Sequence, residues 1–307
     1  MAAEAAAEWD AVVIGGGPAG LSAALVLGRC RRRVLLCDAG DHRNDRSRAM
    51  HGFLTRDGTP PAELRALGRA ELRRYPGIEL RDTAVTALER TGPTGFTARL
   101  ADGATARARL VLLATGVTDV LPDLPGLAAI YGTTAWVCPI CDGWEHADQP
   151  LAVYGRGREG YRMALEIRGW TADLALCTDG PAGLDESERG RLARNGIALR
   201  EERIATLESE SGRLRAIRFA TGDTLPRAGL FLAVEWRQGA DFAERLGCAM
   251  TDQGCVAAGR HETTDIPGLF VAGDASRGLQ LAAVAVAQGV TAAFEMNAAL
   301  LRADLVD

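Results

Sequence analysis

The chain has 307 residues and a mass of 32.5 kDa, about twice a single-domain length, so two domains, or one interrupted by another, is the starting expectation. A hydrophobic share of 47% and a mean hydropathy of −0.02 exclude a disordered or fibrous chain, and a net charge of −5 with a sequence pI near 5.6 excludes a nucleic-acid scaffold, which needs a basic face. All 35 basic residues are arginine, which removes every chemistry that requires lysine: a pyridoxal phosphate Schiff base, a phosphate-loop lysine and a kinase-type lysine.

At the N-terminus, Met1 to Glu8 is alanine-rich and acidic and lacks the basic start and apolar core of a secretory signal, so a cytoplasmic protein is expected. From Asp10 an apolar run of strand length meets Gly15, Gly17 and Gly20 and then apolar residues at helical spacing, which predicts strand, tight turn and helix. Gly15 permits the turn, Gly17 lets backbone approach a pyrophosphate, and Gly20 allows close helix packing, with the helix N-terminus turned to the phosphates. The next strand, Arg33 to Asp38, ends in an acid placed to accept hydrogen bonds from ribose hydroxyls. Leu110 to Leu113 reads as a buried strand that runs into the small residues Ala114, Thr115 and Gly116.

Seven cysteines in a large chain with no secretory signal argue against a disulfide framework. Only Cys138 and Cys141 have motif spacing; the other five read as small buried hydrophobes or inert thiols. Two thiols three apart can meet across one turn, where a helix end or a charge lowers one pKa. The pair could instead be half of a zinc site, but no second Cys-x-x-Cys or His-x-x-x-His exists, and no metal is expected. Asp142 can give a proton to a leaving thiolate or simply cap a helix. Trp136 and Trp144 flank the pair and read as core packing, though either could stack on a ring.

Leu151 to Tyr154, then Gly155, Gly157 and Gly160, a helix through Arg168 and a strand from Ala172 to Cys177 repeat the nucleotide pattern, so the second copy is inserted into the first and two dinucleotide sites are implied. Near the other end Ile266 to Ala272 runs into Gly273 and Asp274, an acid at a strand's carboxyl end that can hold a ribitol or bridge to phosphate. The apolar stretch Leu279 to Leu301 is broken by Gln288, Gly289, Glu295 and Asn297, which suits a buried helix, and no membrane segment is expected.

Together these parts resemble the low-molecular-weight thioredoxin reductase type of pyridine nucleotide-disulfide oxidoreductase, across nearly the whole chain. The resemblance implies an α/β protein of two nucleotide-binding (Rossmann-like, three-layer) domains, the second inserted into the first. The expected boundaries are 1–118 for the first FAD-binding segment, 119–242 for the inserted domain with the redox disulfide, and 243–307 for the second FAD-binding segment. It implies FAD held by Gly15, Gly17, Pro18, Ala19, Gly20, Asp38, Val85, Ala114, Thr115, Gly116, Gly273, Asp274 and Gln280. It makes Cys138-Pro-Ile-Cys141-Asp142 the redox-active disulfide, with Cys141 nearer the flavin, Cys138 attacking the external partner and Asp142 moving the proton.

Three features depart from that pattern. Where the family carries a basic stretch for the NADPH 2′-phosphate, this chain has Cys177-Thr178-Asp179-Gly180, which sets Asp179 against such a phosphate. The flavin-contacting loop is replaced by His51 to Gly58, and the disulfide is followed by Gly143-Trp144-Glu145. The last two are similar to FAD-dependent dithiol oxidases of small natural products and to relatives without an NADPH site. His51 is then a candidate base or an FAD contact, whereas His42, His146 and His261 read as exposed loop residues.

The expected protein is a homodimeric FAD enzyme exchanging two electrons between FAD, the Cys138/Cys141 pair and a thioredoxin-like protein or a small-molecule dithiol or disulfide. The second glycine loop would hold NADH, NADPH, another FAD or nothing. Its rivals are an ordinary NAD(P)H-dependent thioredoxin reductase, a flavin monooxygenase or NADH oxidase with incidental cysteines, and a flavin-bearing sensor without turnover.

Overall fold

A computed structural model describes residues 8–92, 95–276 and 278–305, so most of the N-terminal stretch read above lies outside the described residues. In chain order the elements are β1 (Trp9–Ile14), α1 (Pro18–Arg29), β2 (Val34–Cys37), α2 (Pro61–Leu72), β3 (Ile78–Arg81), β4 (Val85–Thr91), β5 (Gly95–Leu100), β6 (Thr105–Leu113) and β7 (Val117–Asp119). There follow α3 (Leu127–Ile130), β8 (Ala135–Trp136), α4 (Pro139–Asp142), β9 (Leu151–Tyr154), α5 (Gly157–Ile167), β10 (Leu174–Cys177), α6 (Glu186–Arg194) and β11 (Ile197–Arg200). The chain then forms β12 (Ile204–Glu210), β13 (Arg213–Phe219), β14 (Thr224–Pro226), β15 (Gly229–Leu232), β16 (Trp236–Gln238), α7 (Phe242–Leu246), β17 (Leu269–Val271) and α8 (Ala282–Asp304).

Two compact units result: residues 1–45, 53–118 and 237–307 form one, and residues 46–52 and 119–236 the other. The second division falls at 236/237 rather than at 242/243, because β16 pairs with β7 and one short ribbon carries the chain out and back.

The first unit is built on a seven-stranded sheet ordered β3-β2-β1-β6-β5-β4, with β17 also on β6. β1, β2, β3, β6 and β17 run parallel, while β5 pairs antiparallel with the first half of β6. Because successive strand residues face opposite sides, Val12 and Ile14 enter one core with Leu35, Val111 and Leu113. Ala11 and Val13 enter the other with Val34, Leu36, Leu110 and Leu112. That second core is closed by α1 and α8, where a Cβ on Gly289 would collide with the Ala19 carbonyl, so only glycine lets the two helices meet. By length and composition α8 could cross a membrane, but Ala285, Ala292, Ala293 and Met296 are buried in this core.

The second unit repeats the plan with a five-stranded parallel sheet, β11-β10-β9-β15-β8, and a three-stranded antiparallel sheet, β12-β13-β14. α5 and α6 cover Leu151, Val153, Leu174, Leu176 and Phe231, and the β12–β14 meander covers Ala152, Ala175, Leu230 and Leu232. Each fully buried valine, leucine or phenylalanine side chain among them contributes about 1.5–3 kcal/mol of transfer free energy.

Candidate active site

Cys138 and Cys141 are joined by a disulfide at the start of α4, with Cα atoms 5.3 Å apart, so the zinc half-site has no free thiols. Pro139 at the first helical position fixes the turn, and Cys138 itself is the N-cap, its Sγ accepting the Cys141 N–H at 3.2 Å. The cap is therefore sulfur and not the Asp142 carboxylate.

Asp142 closes the same turn. Burial pushes its carboxyl up to about 7, the nearby Glu145 adds to the rise, and the His51 imidazole works against it. His51 arrives from a distant part of the sequence: residues 46–52 belong to the redox unit, and His51 Nε2 lies 3.5 Å from Glu145 Oε1. Arg46 anchors this excursion through the Ala128 carbonyl, at 3.4 Å.

In the other unit the first glycine loop joins β1 to α1. Gly15 has φ +114°, and a Cβ there would collide with the Ala114 carbonyl, so the loop and the Ala114-Thr115-Gly116 strand end lie in backbone contact. Gly17 faces open space at the N-cap of α1, with no side chain capping it and Pro18 following. Gly20 and Ala19 are buried in the first turn. Asp38 is buried beyond the end of β2, where it accepts Gly40 N–H at 3.1 Å and Arg69 Nη1 at 2.9 Å and has His42 Nε2 at 3.6 Å. Across the sheet, Gln288 Oε1 accepts Gly273 N–H at 2.8 Å, while Arg43 Nη1 reaches Asp274 at 3.2 Å and Gln280 Oε1 at 2.5 Å. Val85 opens β4 and packs on the core beneath the sheet.

The second glycine loop is tighter. A Cβ on Gly155 would stand 2.7 Å from Ala233 Cβ and 2.9 Å from Gly160 Cα, so those two glycines serve packing. Gly157, with φ +55°, donates its N–H to the Ala182 carbonyl at 2.8 Å. Arg156 Nε donates to the Thr178 carbonyl at 2.6 Å and its Nη2 to the Asp179 carbonyl. Glu201 locks the loop by accepting Ala182 N–H at 2.8 Å and both terminal nitrogens of Arg189 at 2.7 Å, contacts that hold its carboxyl down to about 2. The expectation that Asp179 would face a ligand is corrected. Its carboxylate is buried, accepts Ile204 N–H at 2.7 Å and pairs with Arg156 and Arg203 at 3.4 and 3.5 Å.

Residues 9–289 match the Pyridine nucleotide-disulphide oxidoreductase family. The chain belongs to that family. It is 31% identical to thioredoxin reductase sirT of Leptosphaeria maculans, over 97% of this chain and 96% of that one. Among solved structures it is similar to a putative thioredoxin reductase, TrxB, of Bacillus anthracis, at 32% identity and a TM-score of 0.92, covering 96% of this chain and all of that one. It is similar also to HlmI, at 37% identity and a TM-score of 0.92, covering 96% and 93%.

The protein is thus a thioredoxin reductase-like oxidoreductase, and the cofactor of its family is FAD. The first unit fits that cofactor in three respects. The open Gly17 face offers uncapped α1 amides to a pyrophosphate, the buried Asp38 carboxylate keeps further acceptor sites for hydroxyls, and Gln280 Nε2 is buried without a hydrogen-bond partner among the described residues. Arg43 and Arg69 were not singled out in the sequence and His42 was read only as an exposed loop residue, because one arginine or histidine in a loop, or one arginine on a helix such as α2, carries no motif signal.

Several readings are corrected. Trp136 is buried as expected, stacked on His146 at 4.1 Å and near Phe231 at 5.2 Å, but Trp144 is 79% exposed, as is Ile140 at 55%, both beside the disulfide. His146 is half-buried rather than exposed, and burial lowers its pKa. His42 faces Asp38, and His261 Nδ1 lies 3.2 Å from Glu295. Cys37, Cys177, Cys248 and Cys255 are buried, with the Cys37 and Cys177 thiols pushed up by burial to about 11 and about 12, whereas Cys30 is exposed.

Proposed function

We propose that the protein passes two electrons between an external thiol or disulfide partner and FAD through Cys138 and Cys141, and that NADPH serves it poorly or not at all. The observation that carries this reading is the Cys138–Cys141 disulfide on α4 with Asp142 and His51 in the same unit. Cys138, whose sulfur holds the helix-start hydrogen bond, is the thiol that exchanges with the partner; Cys141 is the thiol that communicates with FAD. Asp142, held protonated up to about pH 7, returns a proton to a departing thiolate or takes one from an incoming thiol. FAD, when bound by Gly15 to Gly20, Asp38, Val85, Ala114 to Gly116, Gly273, Asp274 and Gln280, supplies the two-electron exchange with the pair.

Weak use of NADPH is supported by two sets of contacts and one feature of the sequence. The Gly157 amide is engaged by Ala182, the Arg156 guanidinium by Thr178 and Asp179, and no arginine follows β10 in Cys177-Thr178-Asp179-Gly180. Losing one or two charge-assisted contacts of about 1.5–3 kcal/mol each weakens a 2′-phosphate ligand by a factor of roughly ten to ten thousand. Relatives named thioredoxin reductase make a thioredoxin-like protein one partner to consider, and a small dithiol or disulfide is the other. We further propose a homodimer working in the cytoplasm. Stopped-flow reduction of the flavin by NADPH and, separately, by dithiothreitol tests the reading: reduction by the dithiol alone supports it, and fast reduction at micromolar NADPH restores an ordinary NADPH-dependent reductase.

A further inference from the structure

The redox unit sets three titratable side chains around one turn, and they come from two distant stretches of chain. Asp142 ends α4, Glu145 lies in the single helical turn that follows, and His51 enters on the segment 46–52. His51 Nε2 and Glu145 Oε1 are 3.5 Å apart, with their side chains 19% and 37% exposed, so the pair is partly shielded from solvent. We propose that Glu145 is a positioning residue for proton transfer at the disulfide: its carboxylate holds the His51 imidazole beside Asp142, and imidazole and carboxyl together handle the proton of the incoming thiol. This deepens the reading of Cys138–Cys141 as the reacting disulfide and rests on it.

In the oxidation of a dithiol, the first substrate thiol gives its proton to the His51/Asp142 pair and its sulfur attacks Cys138 Sγ. The Cys138–Cys141 bond breaks with its electron pair on Cys141. The second substrate sulfur, losing its proton to solvent, attacks the sulfur bound to Cys138, so the substrate disulfide forms and Cys138 leaves as a thiolate beneath the Cys141 N–H. The substrate has lost two electrons and two protons, and the electrons reside on the two cysteines, ready for FAD.

The groups that act on Asp142 are Glu145, which raises its carboxyl, and His51, which lowers it. Glu145 also acts on His146, which Arg213 faces from β13. Removing Glu145 and removing His51 should therefore move the same titration in opposite directions, a signature that general loosening of the site does not produce.

The test is anaerobic stopped-flow reduction of the FAD-loaded protein by excess dithiothreitol across the pH range around the Asp142 midpoint of about 7, in wild type, Glu145→Gln, Glu145→Asp, His51→Gln and Cys138→Ser. The expected result is a midpoint lowered by about half a unit or more in Glu145→Gln and raised in His51→Gln, with a plateau rate roughly tenfold lower in Glu145→Gln and partial recovery in Glu145→Asp. Reduction of the wild type with an unmoved Glu145→Gln midpoint overturns the inference alone. A wild type that dithiothreitol does not reduce, or a Cys138→Ser protein reduced as fast, overturns the disulfide reading and the inference with it.

Discussion

Asp142 shows how burial of one carboxyl ties stability to catalysis. Its folded pKa of about 7 stands above the ordinary 3.8, so the folded state holds the proton more tightly than the unfolded chain does. That contribution is present in full below 3.8 and is lost as pH rises through about 7. Asp142→Asn, neutral and nearly the same shape, escapes the loss. At a pH above that midpoint, thermal melting should find the variant as stable as wild type or more so, while dithiol turnover falls by about a hundredfold or more. A variant that loses stability and activity together would assign Asp142 a packing role instead.

At the scale of elements, the first glycine loop depends on one backbone approach. Gly15→Ala places a methyl group against the Ala114 carbonyl at a φ of +114° that disfavours any side chain. The purified variant is expected to have lost most of its flavin absorbance while Cys138 and Cys141, in the other unit, still form their disulfide by thiol titration. The second loop is held by Glu201, whose contribution is present above its ordinary pKa of 4.5 and fades as pH falls towards about 2. In Glu201→Ala, amide exchange across residues 178–184 should quicken, as read by mass spectrometry, with no change in β1 or β6.

Both loops were legible because a nucleotide-binding turn needs glycines at fixed offsets between an apolar strand and an amphipathic helix, and those offsets survive in the sequence as Gly15-x-Gly17-x-x-Gly20 and Gly155-x-Gly157-x-x-Gly160. The Cys138/Cys141 spacing was legible for the same reason. The His51–Glu145 pair was not, since it is made by a segment that leaves one compact unit for the other, and no local spacing records that excursion. The inward turn of Asp179 was equally hidden: its partners Arg156, Arg203 and Ile204 come from β12 and from the loops before α5 and before β12, whereas the sequence alone shows an acid where a basic stretch was expected.

Over the whole molecule, the exposed side of α8 carries Ala287, Val290 and Phe294 at positions three and four apart, with Val290 41% and Phe294 65% exposed. An apolar stripe on a rigid helix suits burial against a second copy, and Phe294→Glu is expected to lower the sedimentation-derived mass from dimer to monomer; a wild type that is already monomeric contradicts the homodimer. FAD and the Cys138–Cys141 disulfide are expected to act as two communicating redox centres, and anaerobic reductive titration with dithionite, followed at the flavin absorbance, reads both. Wild type should consume four electrons per FAD, two for the flavin and two for the disulfide, and Cys138→Ala only two; equal uptake by the two proteins would rule out the disulfide as a second redox centre.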